Sequence, residues 1–256
     1  MPKARITAAV TAHREGLIAR ASLLSLTAAK AHAEAHGYEV ETIIVLDQAD
    51  ALTAEVVEEW CKGESGTEII QVDNADPGLS RNDAVTRASG EWVAFLDADD
   101  LWCETWLTHS VEAAQSDRRQ VVWHPELMIY FGTRAGLFRH VDMESAEFQP
   151  SALLISNHWS SLCVARRSLL LAVPYQQTDL ENKIGYEDWA WNLAVVERGA
   201  IHKIVPGTGH AVRTKSSSRN RTADHAGAIP DPNTRLTHLL GTGRSYGIRP
   251  ESPSAL

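Results

Sequence analysis

The sequence predicts an α/β fold in which helices flank a mixed sheet within a single domain. Strand-like apolar runs alternate with helical patterns through the first hundred residues, which is typical of parallel strands joined by helical crossovers. The chain has 256 residues and 44% hydrophobic content, enough to bury one substantial core. The apolar run at 92–97 leads into three acids, Asp97, Asp99 and Asp100, and open α/β sheets bind ligands at such carboxyl ends.

The elements of the first hundred residues follow from the spacing of apolar residues. A strand is predicted at 5–11 and a long helix at 15–36, where apolar residues recur every three or four positions until Gly37 ends the pattern. The remaining predictions are strands at 41–46, 67–72 and 92–97 and helices at 54–61 and 79–88. Four strands with these crossovers predict a parallel sheet with helices on both faces.

The second half of the chain is less regular. Residues 121–131 predict one or two strands, and a turn at 132–136 leads to a partner strand at 139–141, which indicates an antiparallel extension of the sheet. Further predictions are a strand at 161–165, a helical turn at 167–172, a helix at 186–198 and a strand at 201–205.

Composition excludes several classes of protein. The net charge of −9 argues against a nucleic-acid partner. No apolar run reaches eighteen residues and the sequence shows no secretory signal. We therefore expect a cytoplasmic protein, with membrane contact, if any, peripheral at the inner face. Cys61, Cys103 and Cys163 are scattered and odd in number, which disfavours a disulfide framework or a thiolate zinc site.

The acids after the predicted strand at 92–97 indicate a cation or phosphate site. Asp97 and Asp99 are separated by one residue, so both can turn toward one divalent cation or one ribose-diphosphate, and hard oxygen ligands suit magnesium or manganese. Alternatively, Asp97 caps a helix beginning near Trp102, although one cap does not explain three acids. The sequence has no P-loop, metalloprotease helix or nucleophile elbow, so phosphate chemistry must rest on the acids.

Five ordered segments are together typical of one enzyme family. They are TAHRE at 11–15, IIVLDQAD at 43–50, GLSRNDA at 78–84, ASGEWVAFLDADD at 88–100 and GYEDW at 185–189. Over residues 6–219 the chain resembles the nucleotide-sugar glycosyltransferases of the GT-A fold, in particular the second family of inverting enzymes. The resemblance implies one GT-A-like domain at 1–215 with a Rossmann-type sheet, divided into a nucleotide-binding half (1–100) and an acceptor and catalytic half (101–215). We expect the polar tail at 216–256 to be partly mobile.

The resemblance also implies a set of nucleotide-binding residues. Asp47 could accept a hydrogen bond from the ring NH of a uracil-type base, although the family often has a second acid where this chain has Gln48, and a turn or cap role is the alternative. Asp73 is a second base-binding candidate or a solvated turn acid. Arg81 either adds charge near the diphosphate or holds Asp97. The implied set is Thr11, His13, Glu15, Asp47, Asp73, Arg81, Asp97 and Ala98.

Glu187 and Asp188 match the catalytic acids of the family. Inversion requires one carboxylate, on the face opposite the leaving diphosphate, to remove the proton of the acceptor hydroxyl, and we predict Asp188 in this role. The competing explanation is that acids at the start of a helix favour its dipole.

The remaining candidates are implied for the metal, the phosphates and the acceptor. Asp99 is the predicted metal ligand and Asp97 contacts the ribose or the water shell of the metal, because a diphosphate facing carboxylates without a cation would be repelled. His210 is the candidate third ligand, with His202 and His225 as rivals, whereas Arg213 or Lys215 could neutralise phosphate instead. The acceptor and sugar candidates are His158, Trp159 and Trp189, for which buried packing is the alternative.

The predicted function is inverting, metal-dependent transfer of a sugar from a nucleoside-diphosphate sugar, UDP-linked, to a hydroxyl of a glycan, lipid-linked or small-molecule acceptor, with Mn²⁺ or Mg²⁺ as cofactor. One alternative is a sugar-phosphate nucleotidyltransferase, although residues 11–16 contain only one glycine, unlike the triphosphate loop of that class. The other alternative is a non-catalytic nucleotide-sugar or carbohydrate-binding protein.

Overall fold

Nine strands form one sheet in residues 5–216 and 219–231, the part of the chain that this computed structural model describes. The strands are β1 (Arg5–Ala12), β2 (Glu39–Asp47), β3 (Thr67–Val72), β4 (Trp92–Asp97), β5 (Leu101–Trp102), β6 (Val121–Gly132), β7 (Gly136–Arg139), β8 (Val164–Arg166) and β9 (Ile201–Thr214). The helices are α1 (Ala19–Ala35), α2 (Ala51–Cys61), α3 (Pro77–Arg87), α4 (Trp106–Ser116), α5 (Arg167–Ala172), α6 (Glu187–Glu197) and α7 (Arg219–Ala226), with 3₁₀ turns at Gly16–Ile18 and Pro150–Leu154.

The strand order is β3-β2-β1-β4-β8-β6-β9-β5, with β7 paired to β6. The first four strands in sequence are mutually parallel, which confirms the predicted crossovers. β8 then pairs antiparallel to both β4 and β6, and this reversal makes the sheet mixed, as predicted. Because β1, β2 and β4 are parallel, their carboxyl ends lie at the same edge, where Thr11 is the register partner of Asp97.

The predicted elements of the first half are confirmed, with small shifts at the helix starts. The strands at 67–72 and 92–97 have the predicted bounds. Helix α2 begins three residues before its predicted start because Asp50 caps it by accepting a hydrogen bond from the Thr53 N–H. Asp76 caps α3 in the same way through Leu79 N–H.

The second half departs further from the prediction. Strand β9 runs to Thr214 rather than to residue 205, because it pairs along most of the length of β6 in parallel register. The partner of β6 after the turn is Gly136–Arg139 rather than 139–141. The helix expected near Trp102 begins at Trp106 with Thr105 as its N-cap residue, so Asp97 does not cap it. Within the tail predicted at 216–256, residues 219–226 are helical, and residues 217–218 and 232–256 lie outside the described residues.

Two apolar layers cover the sheet, one on each face. Side chains of β1 alternate between them: Ile6, Ala8 and Val10 face the layer that holds α1, α2 and α4, and Ala9 faces the layer that holds α3, α5 and α6. In the described part of the chain, none of the helices has the length and apolar character needed to span a membrane.

Candidate active site

A cavity of about 680 Å³ opens at the carboxyl ends of the parallel strands and takes residues from both halves of the chain. This volume is within the range of small-molecule sites, roughly 300–1,000 Å³. Acidic lining residues include Glu15, Asp97, Asp99, Asp100, Glu187 and Asp188, and the basic ones include Arg14, Arg81, Arg213 and Lys215. The predicted catalytic acids, the predicted phosphate residues and the predicted metal ligand Asp99 therefore face one space.

The loop after β4 is held against β1 by two hydrogen bonds. Thr11 Oγ1 donates to Asp97 Oδ1 at 2.8 Å, and the backbone N–H of Ala98 donates to the Thr11 carbonyl at 2.9 Å. Ala98 itself is buried and absent from the cavity lining, so it acts through its backbone. The pair fixes the direction in which the acidic loop leaves the sheet.

Arg81 joins the two predicted halves of the site. Its guanidinium is 2% exposed and contacts Asp97 at 2.9 Å and Glu187 at 3.2 Å, and it also donates to the Ser161 hydroxyl at 3.0 Å. Of the two roles predicted for Arg81, these contacts match the holding of Asp97. The two carboxylates raise the pKa of Arg81 although burial opposes them, so its charge is permanent.

The end of β9 brings two cations to the acidic loop. Lys215 Nζ lies 2.6 Å and Arg213 Nη1 3.8 Å from Asp99 Oδ2. The backbone N–H of Arg213 also donates to Asp100 Oδ1 at 2.7 Å. Burial, followed by the charges of Asp97 and Asp99, raises the pKa of Asp100 well above its usual value. The close spacing of Asp97, Asp99 and Asp100 thus makes this end of the cavity attract positively charged groups.

The residues around Asp99 fit a divalent cation only when a ligand shares it. Among residues 5–216 and 219–231 no group of three or more His, Cys, Asp or Glu side chains is arranged to hold a metal. Both oxygens of Asp97 already accept from Arg81. Asp99 offers a hard carboxylate that already contacts a cation, Lys215, and Mg²⁺ is commonly bound by one or two carboxylates plus substrate phosphates. The donor set fits a cation held jointly with a diphosphate.

The predicted base lies in the first turn of α6, in the cavity wall. Asp188 Oδ1 accepts from the Trp189 N–H at 2.8 Å and Oδ2 accepts from the Asn157 side-chain amide at 3.0 Å. Burial and the neighbouring charge of Glu187 raise the pKa of Asp188 to about 7, against the opposing effect of Arg81. Both acids have partners outside α6: Glu187 contacts Arg81, and Asp188 contacts Asn157. A preference of acids for the helix dipole would require neither contact.

Asp47 lines the cavity, and its carboxylate is hydrogen-bonded to the loop after β3. Its two carboxylate oxygens accept from the backbone N–H groups of Asn74, Ala75 and Asp76 and from the Ser80 hydroxyl, at 2.9–3.1 Å. The carboxylate is used in shaping the loop after β3, which matches the turn alternative, and the base-reading role stays a prediction.

The neighbouring side chains of Gln48 and Asp73 are more exposed than the Asp47 carboxylate to a bound nucleobase. Gln48 has a left-handed backbone (φ +48°), lines the cavity, and donates its amide to Asp73. Asp73 is exposed and lies outside the cavity lining, so it meets the cavity through Gln48.

His13 and Glu15 line the cavity next to the end of β2. The His13 backbone N–H donates to Glu15 Oε2, and His13 Nδ1 lies against the Asp47 carbonyl oxygen, both at 2.6 Å. Burial raises the pKa of Glu15, and the charge of Asp99 adds to the shift. Glu15 is thus part of the same acidic field as the loop after β4.

His210 is not brought to the cavity, contrary to its predicted role as a metal ligand. The ring is 1% exposed and packs edge-on against Trp106, with ring centroids 4.6 Å apart. Strand β9 places this residue beside Trp102 of β5, under α4. Only the residues that follow on the strand reach the acidic loop.

The three acceptor candidates have different positions. Trp159 lines the cavity but is 1% exposed, with its indole stacked on the His202 ring at 3.9 Å and its N–H donated to the Val141 carbonyl. His158 and Trp189 are absent from the cavity lining, and Trp189 donates its indole N–H to Leu153 O at 2.9 Å. Packing, the alternative, describes both of these residues.

Asn157 is a cavity residue that the sequence reasoning missed. It lies in an irregular loop before β8 and belongs to none of the five family-like segments. The only signal in the sequence is its position beside the predicted pair His158 and Trp159.

Comparisons with known proteins agree with this geometry. A family model described as "Glycosyl transferase family 2" matches residues 7–170. EpsH of Bacillus subtilis, assigned as a glycosyltransferase, is 35% identical over 65 residues, which cover 25% of this chain and 19% of EpsH. TuaG of the same organism, assigned as a glycosyltransferase of teichuronic acid biosynthesis, is 33% identical over 73 residues, which cover 28% of this chain and 29% of TuaG. The match thus spans less than a third of each of these relatives.

Solved structures show the same fold. S. aureus TarS 1-349 in complex with UDP-GlcNAc superposes with a TM-score of 0.61 at 15% identity, covering 85% of this chain and 61% of that chain. Its complex with UDP gives a TM-score of 0.61 at 16% identity, covering 93% of this chain and 70% of that one.

Proposed function

The chain belongs to glycosyl transferase family 2, and on that premise we propose that it transfers the sugar of a UDP-sugar to an acceptor hydroxyl with inversion at the anomeric carbon, releasing UDP. One observation carries the proposal: Asp188 faces the same cavity as the acidic loop after β4. A base and a leaving-group site on opposite sides of one space are what a single in-line displacement requires.

The base role rests on the environment of Asp188. A general base is most effective when its pKa lies near the working pH, and burial with the Glu187 charge raises the pKa of Asp188 to about 7. At neutral pH an appreciable fraction of the carboxylate is ionised and can take the proton of the acceptor hydroxyl. Arg81 is held between Asp97 and Glu187, so it orients the acids of both halves.

We propose Asp99 as the residue that would hold Mn²⁺ or Mg²⁺ when donor is bound. Such an ion would supply Lewis-acid stabilisation of the departing diphosphate. Lys215 and Arg213 contact the same carboxylate, and when it turns to a cation they are close enough to bind phosphate oxygens instead.

UDP is proposed as the nucleotide because the TarS structures that share the fold contain UDP and UDP-GlcNAc. With the Asp47 carboxylate fully used by the loop after β3, Gln48 is the cavity side chain nearest to a base-reading role. The acceptor class and peripheral contact with the inner membrane face remain predictions. Cys61, Cys103 and Cys163 are free thiols, which supports the proposed cytoplasmic location.

The test combines binding with turnover. The purified protein is screened by thermal shift against UDP, GDP, CDP and ADP with and without manganese, and UDP release from UDP-sugars is then measured. We expect the largest stabilisation from UDP with manganese, and UDP release from at least one donor. Equal shifts for all four nucleotides would reject the UDP assignment, and binding without UDP release would favour the non-catalytic alternative.

A further inference from the structure

We propose that Asn157 is a positioning residue for Asp188: its side-chain amide orients the base carboxylate and favours the ionised form that accepts the proton. The inference rests on the proposed function, in which Asp188 is the base. Asn157 is half-buried in the loop between the 3₁₀ turn at Pro150–Leu154 and β8, and it lines the cavity. Its Nδ2 donates to Asp188 Oδ2 at 3.0 Å.

The direction of the Asn157 amide is fixed by two other donors. Its Oδ1 accepts from Asn192 Nδ2 at 2.9 Å and from the Trp159 backbone N–H at 3.3 Å. A flipped amide would turn its own N–H groups toward these donors and its oxygen toward the carboxylate of Asp188. Only the observed orientation satisfies all partners, so the N–H that faces Asp188 is preorganised.

Asn192 anchors this arrangement from inside α6. It lies one helical turn after Asp188, is 2% exposed, and also donates to the Trp159 carbonyl at 3.0 Å. The chain Asn192–Asn157–Asp188 therefore ties the cavity loop to the helix that carries the base. Such a chain of amides has no proton to lose, so it orients the carboxylate at every pH.

Hydrogen bonds to a carboxylate favour its charged form. Asp188 has one such bond on each oxygen, from Asn157 and from its neighbour Trp189. Burial pushes the pKa of Asp188 upward, and the Asn157 amide acts in the opposite direction. Removal of the amide should therefore leave the base protonated over a wider range of pH.

Other titratable or charged groups face Asp188 from each packed element. They are Glu187 on α6, Arg81 on α3, Tyr130 on β6, Cys163 before β8 and Tyr175 after α5. Burial raises the pKa values of the Tyr130, Tyr175 and Cys163 side chains, with Cys163 at about 12, so these three stay neutral near pH 7. The shift expected from Asn157 variants is then assigned to Asp188.

The test uses the full-length protein with Asn157→Leu and Asn157→Asp. The Asp188 side-chain titration is followed by ¹³C NMR, with its signal assigned by its loss in Asp188→Asn, and the pH profile of UDP release is measured in parallel. We expect the midpoint to rise by about one unit in Asn157→Leu and by more in Asn157→Asp, where two carboxylates would lie side by side. Turnover of Asn157→Leu at neutral pH should fall about fivefold and recover at higher pH, with KM for the donor unchanged.

Asn82→Leu is the matched control, because Asn82 makes a similar pair of hydrogen bonds to the Tyr175 backbone and does not contact Asp188. It should leave the titration midpoint in place. An unshifted midpoint in the folded Asn157→Asp protein would overturn the inference, as would a loss of turnover that is equal at all pH values. A wild-type protein that releases no UDP, while the midpoint shifts as expected, would reject the proposed function and leave the positioning contact standing.

Discussion

The two halves of the sheet keep their buried polar groups in different ways. In residues 5–100, buried charges have specific partners: Asp47 accepts four hydrogen bonds, and Arg81 lies between Asp97 and Glu187. In residues 101–216, four buried imidazoles lie among aromatic rings instead. They are His124, His140, His202 and His210. Buried charges of the first half are balanced by partners, whereas burial keeps these four imidazoles of the second half neutral.

The four imidazoles have few hydrogen-bond partners. His124 Nε2 lies 2.8 Å from His202 Nδ1, so one of these nitrogens donates a hydrogen bond and the other accepts it. The two facing nitrogens therefore cannot both carry a proton. Burial lowers the pKa of His140 to about 4 and that of His202 to about 3, and it lowers the pKa values of His124 and His210 well below the usual value. The second half is therefore the proton-sensitive part of the molecule.

The largest predicted effect is a loss of stability on acidification, centred in the second half. Each histidine has a folded pKa below its unfolded value of 6.5, so stability is present above that value and is lost as the pH falls toward 4. At about pH 5 His140 and His202 should each cost about 2 kcal/mol, and His124 and His210 should act in the same direction. Urea unfolding at about pH 7.5 and about pH 5 measures the total, and hydrogen exchange should show β6 and β9 opening before β1 and β2. Uniform opening of all four strands would contradict the comparison.

The second prediction removes the contact between the halves. Arg81→Met leaves the charges of Asp97 and Glu187 uncompensated, so we expect a loss of about 3–5 kcal/mol in the free energy of unfolding. Arg87→Met is the matched control on the same helix, since the Arg87 side chain is 61% exposed and its pair with Glu68 spans 3.4 Å. That variant should change stability by less than about 1 kcal/mol. Equal losses in chemical denaturation would show that Arg81 does not couple the halves.

The third prediction concerns the base that the second half contributes to the cavity. Asp188→Asn should lower turnover by about a hundredfold or more and leave UDP binding intact. Because burial raises the pKa of Asp188 from 3.8 to about 7, its charge costs stability as the pH rises through about 7. The Asn variant should therefore melt higher than the wild type at about pH 8. Asp179→Asn, at a partly exposed acid outside the cavity lining, is the control, and near-normal turnover of Asp188→Asn would remove Asp188 from the mechanism.

The smallest predicted effect concerns the acidic loop of the first half. Asp99→Asn should weaken manganese-dependent binding of UDP about tenfold, because one hard ligand is lost. Calorimetry with and without manganese separates this effect from the contribution of Lys215 and Arg213. If wild-type affinity is identical with and without the metal, the Asp99 assignment fails.

The first half could be predicted closely from the sequence because its information is local. The apolar runs, the caps Asp50 and Asp76 and the acids after β4 lie within short segments, and parallel connection fixes which strand ends meet. The convergence of Asp99 and Asp188 on one cavity follows from the same family-like segments.

The second half could not be predicted as well because its information is long-range. The length of β9 depends on its register with β6, and that register decides that His210 meets Trp106 while Lys215 meets Asp99. Asp47 shows a related difficulty: a carboxylate after a strand can read a base or hold a loop, and only the fold of residues 74–76 decides between them. Asn157 had no pattern at all, because its role depends on a helix 30 residues away.

Strand β9 has an imidazole at one end and cations at the other: His202 is its second residue, and Lys215 follows its last. A strand of fourteen residues thus connects the buried imidazoles with the end of the cavity that Arg213 and Lys215 line. If protonation of His202 shifts β9 along β6, Arg213 and Lys215 will move away from the acidic loop after β4. Resistance to acid and the position of these two cations therefore depend on the same strand.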